Sequence, residues 1–156
     1  MKSLTLFRHA KTERDSATGD DFDRRLVERG QEDAKRIGKE LSKLGLQFDL
    51  VLSSPAARAA ETAELAGLAC RFDERIYDAA SSELLAIVHG APDEIDRLAM
   101  VGHNPGFEQL ASRLIGQDVE MPTGSLIEIG IPVERWADVV EAGCRLIRFV
   151  RPKDLR

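Results

Sequence analysis

Three short apolar runs in this chain stop abruptly at polar clusters, and the last two of those clusters carry helix-start signals. They are Leu4 to Phe7 before Arg8-His9, Leu50-Val51-Leu52 before Ser53-Ser54-Pro55, and Leu98 to Val101 before Gly102-His103-Asn104-Pro105. Short runs of β-favouring residues bounded in this way read as buried strands. Strands alternating with helices make an α/β sheet, and such a sheet binds ligands outside the carboxyl ends of its strands. Arg8-His9 and His103 both fall there. Arg8 is a fixed cation, and His9 is the one kind of side chain that can be a neutral nucleophile near pH 7. The placement suggests a site for an anion.

The segments between the strands follow the same logic. Ala34, Ile37, Leu41 and Leu44 form one apolar stripe at helical spacing, with Glu32, Lys35, Arg36, Lys39 and Glu40 facing water. Gly45 suits the C′ position of that helix, and Gly38 within it reads as a tolerated weak point. Ser54 fits an N-cap and Pro55 a first helical position, so Arg58 falls in the first turn, where it adds a forked donor to an end already favourable for anions. Asn104 and Pro105 repeat that pairing. Ser81 or Ser82 can cap a helix through Leu84, Leu85, Ile87 and Val88 to His89, whose place in the last turn is explained by the helix dipole. With a weak strand at Cys70–Asp73, another at Leu126–Ile131 and another at Arg145–Val150, six strands make a three-layer α/β/α sandwich. Residues 1–156 read as one domain.

Composition narrows the partners. A net charge of −5 argues against nonspecific binding to nucleic acid or anionic membrane, so an anion would need a local pocket. No apolar run approaches the roughly 20 residues of a membrane span, and the N-terminus enters the first strand directly, which leads us to expect a cytoplasmic protein. Cys70 and Cys144 read as free thiols in a reducing compartment. His9, His89 and His103 form no metal-binding arrangement, so no metal or other cofactor is expected. The acidic loop Lys11–Arg25, with Asp15, Asp20, Asp21 and Asp23, reads as solvated charge.

The segments L-F-R-H-A, L-S-S-P-A-A-R-A-A-E-T-A and V-G-H-N-P-G recur in order across most of the chain. Together they resemble the histidine phosphatase superfamily, also called the phosphoglycerate mutase-like or RHG family, and within it the short SixA-type phosphohistidine phosphatases. Arg25 and Val27 stand where the family pattern has proline and a Thr or Ser cap. The resemblance implies a mostly parallel mixed sheet with one antiparallel strand. It further implies that His9 attacks phosphorus and becomes phosphohistidine, that water then releases the phosphate, and that Arg8, Arg58 and His103 stabilise the charge, with Asn104 also on the substrate.

Arg8 and Arg58, as nearby cations, should hold His9 neutral. The mutase-like E-R-x-Y pattern makes Glu74 a candidate proton donor, equally readable as a solvated residue beside a weak edge strand. The other position for such an acid, directly after the second histidine, is Asn104, which cannot supply a proton. Short connections imply an open site, suited to a phosphorylated protein such as a histidine-phosphotransfer protein. A small phosphate ester is the alternative, and a non-catalytic phosphate-binding module is a third reading. A monomer is expected.

Overall fold

Every strand foreseen from the apolar runs joins one sheet in the structure, a computed structural model that describes residues 1–156. The strands are β1 (Lys2–Arg8), β2 (Leu50–Ser53), β3 (Arg71–Phe72), β4 (Arg97–Gly102), β5 (Leu126–Ile131) and β6 (Arg145–Val150). Their order is β3-β2-β4-β1-β5-β6. β3, β2, β4 and β1 run parallel, and β5 runs antiparallel to both of its neighbours. β4 and β5 are covered on both faces, which is why they read as nearly continuous apolar runs.

Four α-helices complete the layers: α1 (Glu28–Leu44), α2 (Ala57–Leu65), α3 (Ser81–His89) and α4 (Gly106–Ile115). On one side Ile37 and Leu41 of α1 and Ala59 and Ala63 of α2 pack with Phe7, Val51 and Val101. On the other, Leu84 and Val88 of α3 and Leu110 and Leu114 of α4 pack with Leu4, Leu6, Leu98 and Met100. Alternation along β1 thus sends Leu4 and Leu6 to one core and Phe7 to the other. The three-layer α/β/α sandwich is confirmed. No helix is long and apolar enough to cross a membrane.

The stripe on α1 buries Ala34, Ile37 and Leu41 but leaves Leu44, its last residue, 41% exposed. Gly45 ends the helix with a φ of 65°, the left-handed conformation that favours glycine. Two helix starts fall later than the capping signals suggest. α2 begins at Ala57 and α4 at Gly106; Ser54 Oγ and Asn104 Oδ1 still accept N–H groups there, from Ala56 and Glu108, and each side chain also ties the start of its helix to a distant segment. Ser54 Oγ sits 2.8 Å from His103 Nε2, and the Asn104 amide donates to Met121 O at 2.9 Å. α3 begins at Ser81, but neither serine caps it; the Glu83 carboxylate accepts the Ala80 N–H instead, at 2.9 Å.

Gly38 is more than a weak point in α1. A Cβ there would lie 2.6 Å from the Ala66 carbonyl oxygen, so the glycine is what lets α1 meet the end of α2. Gly30 makes the same kind of contact nearer the site, where a methyl would collide with the Lys11 carbonyl. Gly30→Ala should therefore cost about 1–3 kcal/mol, the usual range for forced overpacking. It should also lower turnover, because Lys11 is two residues from His9. Urea unfolding of the variant checks the first effect, and an unchanged midpoint would contradict it.

Candidate active site

Strand register assembles the site. β1 and β4 pair with Arg8 opposite Gly102, so His9 and His103 emerge side by side at the same sheet edge. Their ring centroids are 5.4 Å apart. β2 pairs with β4 through Ser53 and Val101, which brings Ser54 to His103 and sets Arg58 one turn further on in α2. The structure therefore brings together Arg8, His9, Arg58 and His103, from three separate stretches of chain.

The backbone around His9 is held at every point. The His9 N–H donates to Gly102 O at 2.9 Å, and His9 O accepts from the Gly124 N–H at 2.8 Å. The Ala10 N–H donates to Thr62 Oγ1 at 3.1 Å, and that hydroxyl in turn donates to Arg58 O at 2.7 Å. On the ring, Nδ1 lies 2.8 Å from Ala10 O. A carbonyl can only accept, so Nδ1 carries the proton and Nε2 keeps its lone pair. That nitrogen is free to act as a nucleophile.

Donors surround it. Arg8 Nη1 donates to Met121 O at 2.7 Å, and Arg58 donates through Nη1 to Asp21 O at 2.7 Å and through Nη2 to Asp21 Oδ2 at 3.0 Å. Ser54 Oγ accepts the Ala56 N–H at 3.2 Å and meets His103 Nε2 at 2.8 Å; with that hydroxyl donating, the imidazole proton sits on Nδ1. Five buried side-chain N or O atoms lack a partner, and three of them are Arg8 Nε, Arg58 Nε and His103 Nδ1. Buried donors are almost always satisfied, so three orphans in one site call for an anion.

Electrostatics agree. Burial pushes the His9 pKa down to about 4, with Arg58, Arg8 and Arg24 acting in the same direction and the hydrogen bond to Ala10 against it. The cations were expected to hold His9 neutral; desolvation is the larger cause. His103 is pushed down to about 3 by burial, then by Arg58 and His9. Unfolded, both rings would titrate near 6.5. The unfolded chain thus binds more protons than the native one below pH 6.5, and stability falls as pH drops from 6.5 towards 4. The loss should reach roughly a few kcal/mol. Asp21 titrates below this window, from 3.8 unfolded to about 2 folded. Urea midpoints at pH 7.5 and 4.5 test this, and His9→Gln should flatten the slope.

Asp21 is the residue the sequence reading misplaced. The sequence reads it as solvated charge, yet it opens a 3₁₀ turn (Asp21–Asp23) that reaches over α2 and holds the Arg58 guanidinium. Tyr77 was not singled out at all. Its hydroxyl donates to Asp21 Oδ2 at 2.7 Å, its ring lies 5.6 Å from that of His103, and Arg58 sits 5.9 Å from its ring centroid. The Tyr77 hydrogen bond is the first cause of the low Asp21 pKa, with Arg58 the main cation acting the same way. Thr62 was visible only as part of a motif; its position four residues after Arg58, on the same helix face, was the available signal.

Of the remaining candidates, Asn104 lines the cleft beside Arg58 and His103, whereas Glu74 does not. Both donors of the Asn104 amide are taken, by Glu108 Oε2 and Met121 O, each at 2.9 Å, while its oxygen accepts the Glu108 N–H. Its place is in holding the start of α4. Glu74 is exposed in the turn Glu74–Ile76, and the cleft beside Arg58 and His103 is lined by Tyr77 and Asp78 rather than by Glu74. His89 Nε2 lies 2.9 Å from Val139 O at the far end of α3.

An imidazole with a free lone pair, set among unsatisfied donors from two arginines and a second imidazole at a sheet edge, has the composition that phosphoryl transfer calls for. The model of the histidine phosphatase superfamily (branch 1) matches residues 4–84, over half the chain, and the chain belongs to that superfamily. An uncharacterised chloroplastic protein of Arabidopsis thaliana is 32% identical over 138 residues, covering 78% of this chain, and the chain spans 63% of that relative's length. Among solved structures, a candidate phosphohistidine phosphatase SixA from Nakamurella multipartitia superposes with a TM-score of 0.84 at 26% identity, covering 97% of this chain and 96% of that one. Its counterpart from Agrobacterium tumefaciens gives 0.83 at 28% identity, covering 97% and 98%.

Proposed function

We propose that the chain hydrolyses phosphohistidine on a protein substrate by way of a phosphoryl group carried on His9. The observation that carries this reading is the His9 ring, with Nδ1–H held by Ala10 O and Nε2 free, beside the unpaired donors of Arg8, Arg58 and His103. In the first step Nε2 forms a bond to phosphorus as the substrate P–N bond breaks, and that electron pair stays on the departing ring. Charge on the three equatorial oxygens is met by the arginines and by His103 Nδ1–H. In the second step water adds to phosphorus, the bond to Nε2 breaks, and inorganic phosphate leaves with the proton from water.

The SixA-type neighbours support the substrate class. A cytoplasmic monomer belongs to the same proposal, supported by two unpaired cysteines. Release of phosphate from a carrier protein chemically phosphorylated on histidine tests it, with the His9→Ala variant as control. Turnover confined to sugar phosphates would favour a small-molecule phosphomonoesterase instead.

The leaving group also decides what Glu74 contributes. An alkoxide needs an acid, commonly worth about 10²–10⁴ in rate, whereas an imidazole leaves readily, its conjugate acid having a pKa of about 6.5. Glu74→Gln should therefore change phosphohistidine turnover by less than about twofold, given the exposed position of that carboxyl. A large loss, with circular dichroism unaltered, would assign Glu74 a direct role.

A further inference from the structure

The rings at the site form a row. His9 and His103 are 5.4 Å apart, His103 and Tyr77 5.6 Å, and Tyr77 and Phe22 5.2 Å edge to face. Phe22 is 39% exposed, so the row ends at solvent. Two carboxylates flank it, Asp21 and Asp78, and both line the cleft beside Arg58 and His103. Asp78 is exposed, makes no hydrogen bond or ion pair, and has a φ of 54°, a conformation L-residues other than asparagine and aspartate seldom take. The floor of this site is cationic and its mouth is acidic and aromatic. A small dianionic ester is drawn to the floor but meets like charge at the mouth.

We propose that Asp78, with Asp21 and the Tyr77–Phe22 pair, selects a phosphoryl group carried on a protonated nitrogen ring, and so sets specificity for the cationic form of phosphohistidine over anionic phosphate esters. This rests on the reading above that phosphohistidine is the substrate. With His9 attacking from the floor, the departing ring lies towards Tyr77 and the two carboxylates. A planar cation fits both the aromatic faces and the negative charge. The ring enters with a proton on the nitrogen that does not bear phosphorus. As the P–N bond breaks, its electron pair neutralises the ring, which leaves as neutral imidazole still holding that proton. A carboxylate at the mouth keeps the ring protonated to higher pH and so enlarges the reactive population.

The charged and titratable groups facing Asp78 across the cleft are Arg58 from α2, His103 from the end of β4, Asp21 from the 3₁₀ turn, and Tyr77 beside it. Asp21 is committed to Arg58, Arg24 and Tyr77. Asp78 is therefore the residue to change. Asp78→Asn keeps the shape and suits the backbone, because asparagine tolerates positive φ best after glycine.

The experiment measures kcat/KM from pH 6 to 9 for this variant and the unaltered chain, on phosphohistidine carrier protein and on p-nitrophenyl phosphate, with circular dichroism as a check on folding. The ratio of the two activities should fall about five- to tenfold, the size expected for one partly solvated charge pair. The alkaline limb on phosphohistidine should move to lower pH, and p-nitrophenyl phosphate should gain slightly from the lost repulsion. If the unaltered chain cleaves both substrates and Asp78→Asn leaves their ratio and the alkaline limb in place, the selectivity argument fails while the phosphohistidine reading stands. If the unaltered chain cleaves p-nitrophenyl phosphate but not phosphohistidine, both fail.

Discussion

Replacing His9 by alanine should lower kcat on the order of 10⁴-fold or more, as removal of a covalent nucleophile does. The same change should abolish the phosphoryl adduct. Labelled substrate, quenched rapidly without acid, should leave a heat- and acid-labile label on His9 in the unaltered chain and none in the variant. The other imidazole, His103, has its Nε2 engaged by Ser54 Oγ at 2.8 Å and is not a ready substitute. Folding should survive. The ring makes a single hydrogen bond, to Ala10 O, and the backbone around it is held by Gly102, Thr62 and Gly124 without its help. A label on serine, cysteine or aspartate would overturn the mechanism.

Arg58→Ala should be next in size, with kcat/KM down by about 10²–10³, the cost of removing one preorganised donor from developing charge. Inhibition by inorganic phosphate should weaken in parallel, since ground-state phosphate uses the same guanidinium. Lysine should not restore activity. Arg58 is held at its forked end by both the carbonyl and the carboxylate of Asp21, which leaves Nε unpaired and buried, and a single ammonium cannot satisfy that geometry. Asp21→Asn separates holding from catalysis. It keeps the carbonyl acceptor while weakening the carboxylate contact, so it should lose far less than Arg58→Ala, with the change mostly in KM. Equal losses in the two variants would mean that Asp21 does more than hold Arg58.

What could be read from the chain was local. The apolar runs of β1, β2 and β4, the stripe of α1 and its glycine stop are short-range patterns, because burial and backbone conformation impose periods of two to four residues. Arg8-His9, Arg58 and His103 were visible for the same reason, each standing a residue or a turn beyond a strand end. Their meeting was not local. It follows from the pairing of Arg8 with Gly102 and of Ser53 with Val101. Ser54 and Asn104, good caps by composition, also reach His103 and Met121, contacts that only the folded chain supplies. Asp21 and Tyr77, 56 residues apart, could be paired only by the folded chain. A charged loop residue looks the same in a sequence whether it faces water or an arginine. Local pattern set the layers, the strand ends and the residues able to do the chemistry; the register that joins them, the aspartate that holds Arg58 and the acidic mouth arise only in the folded chain, because hydrogen bonds and charges between distant segments leave no periodic trace.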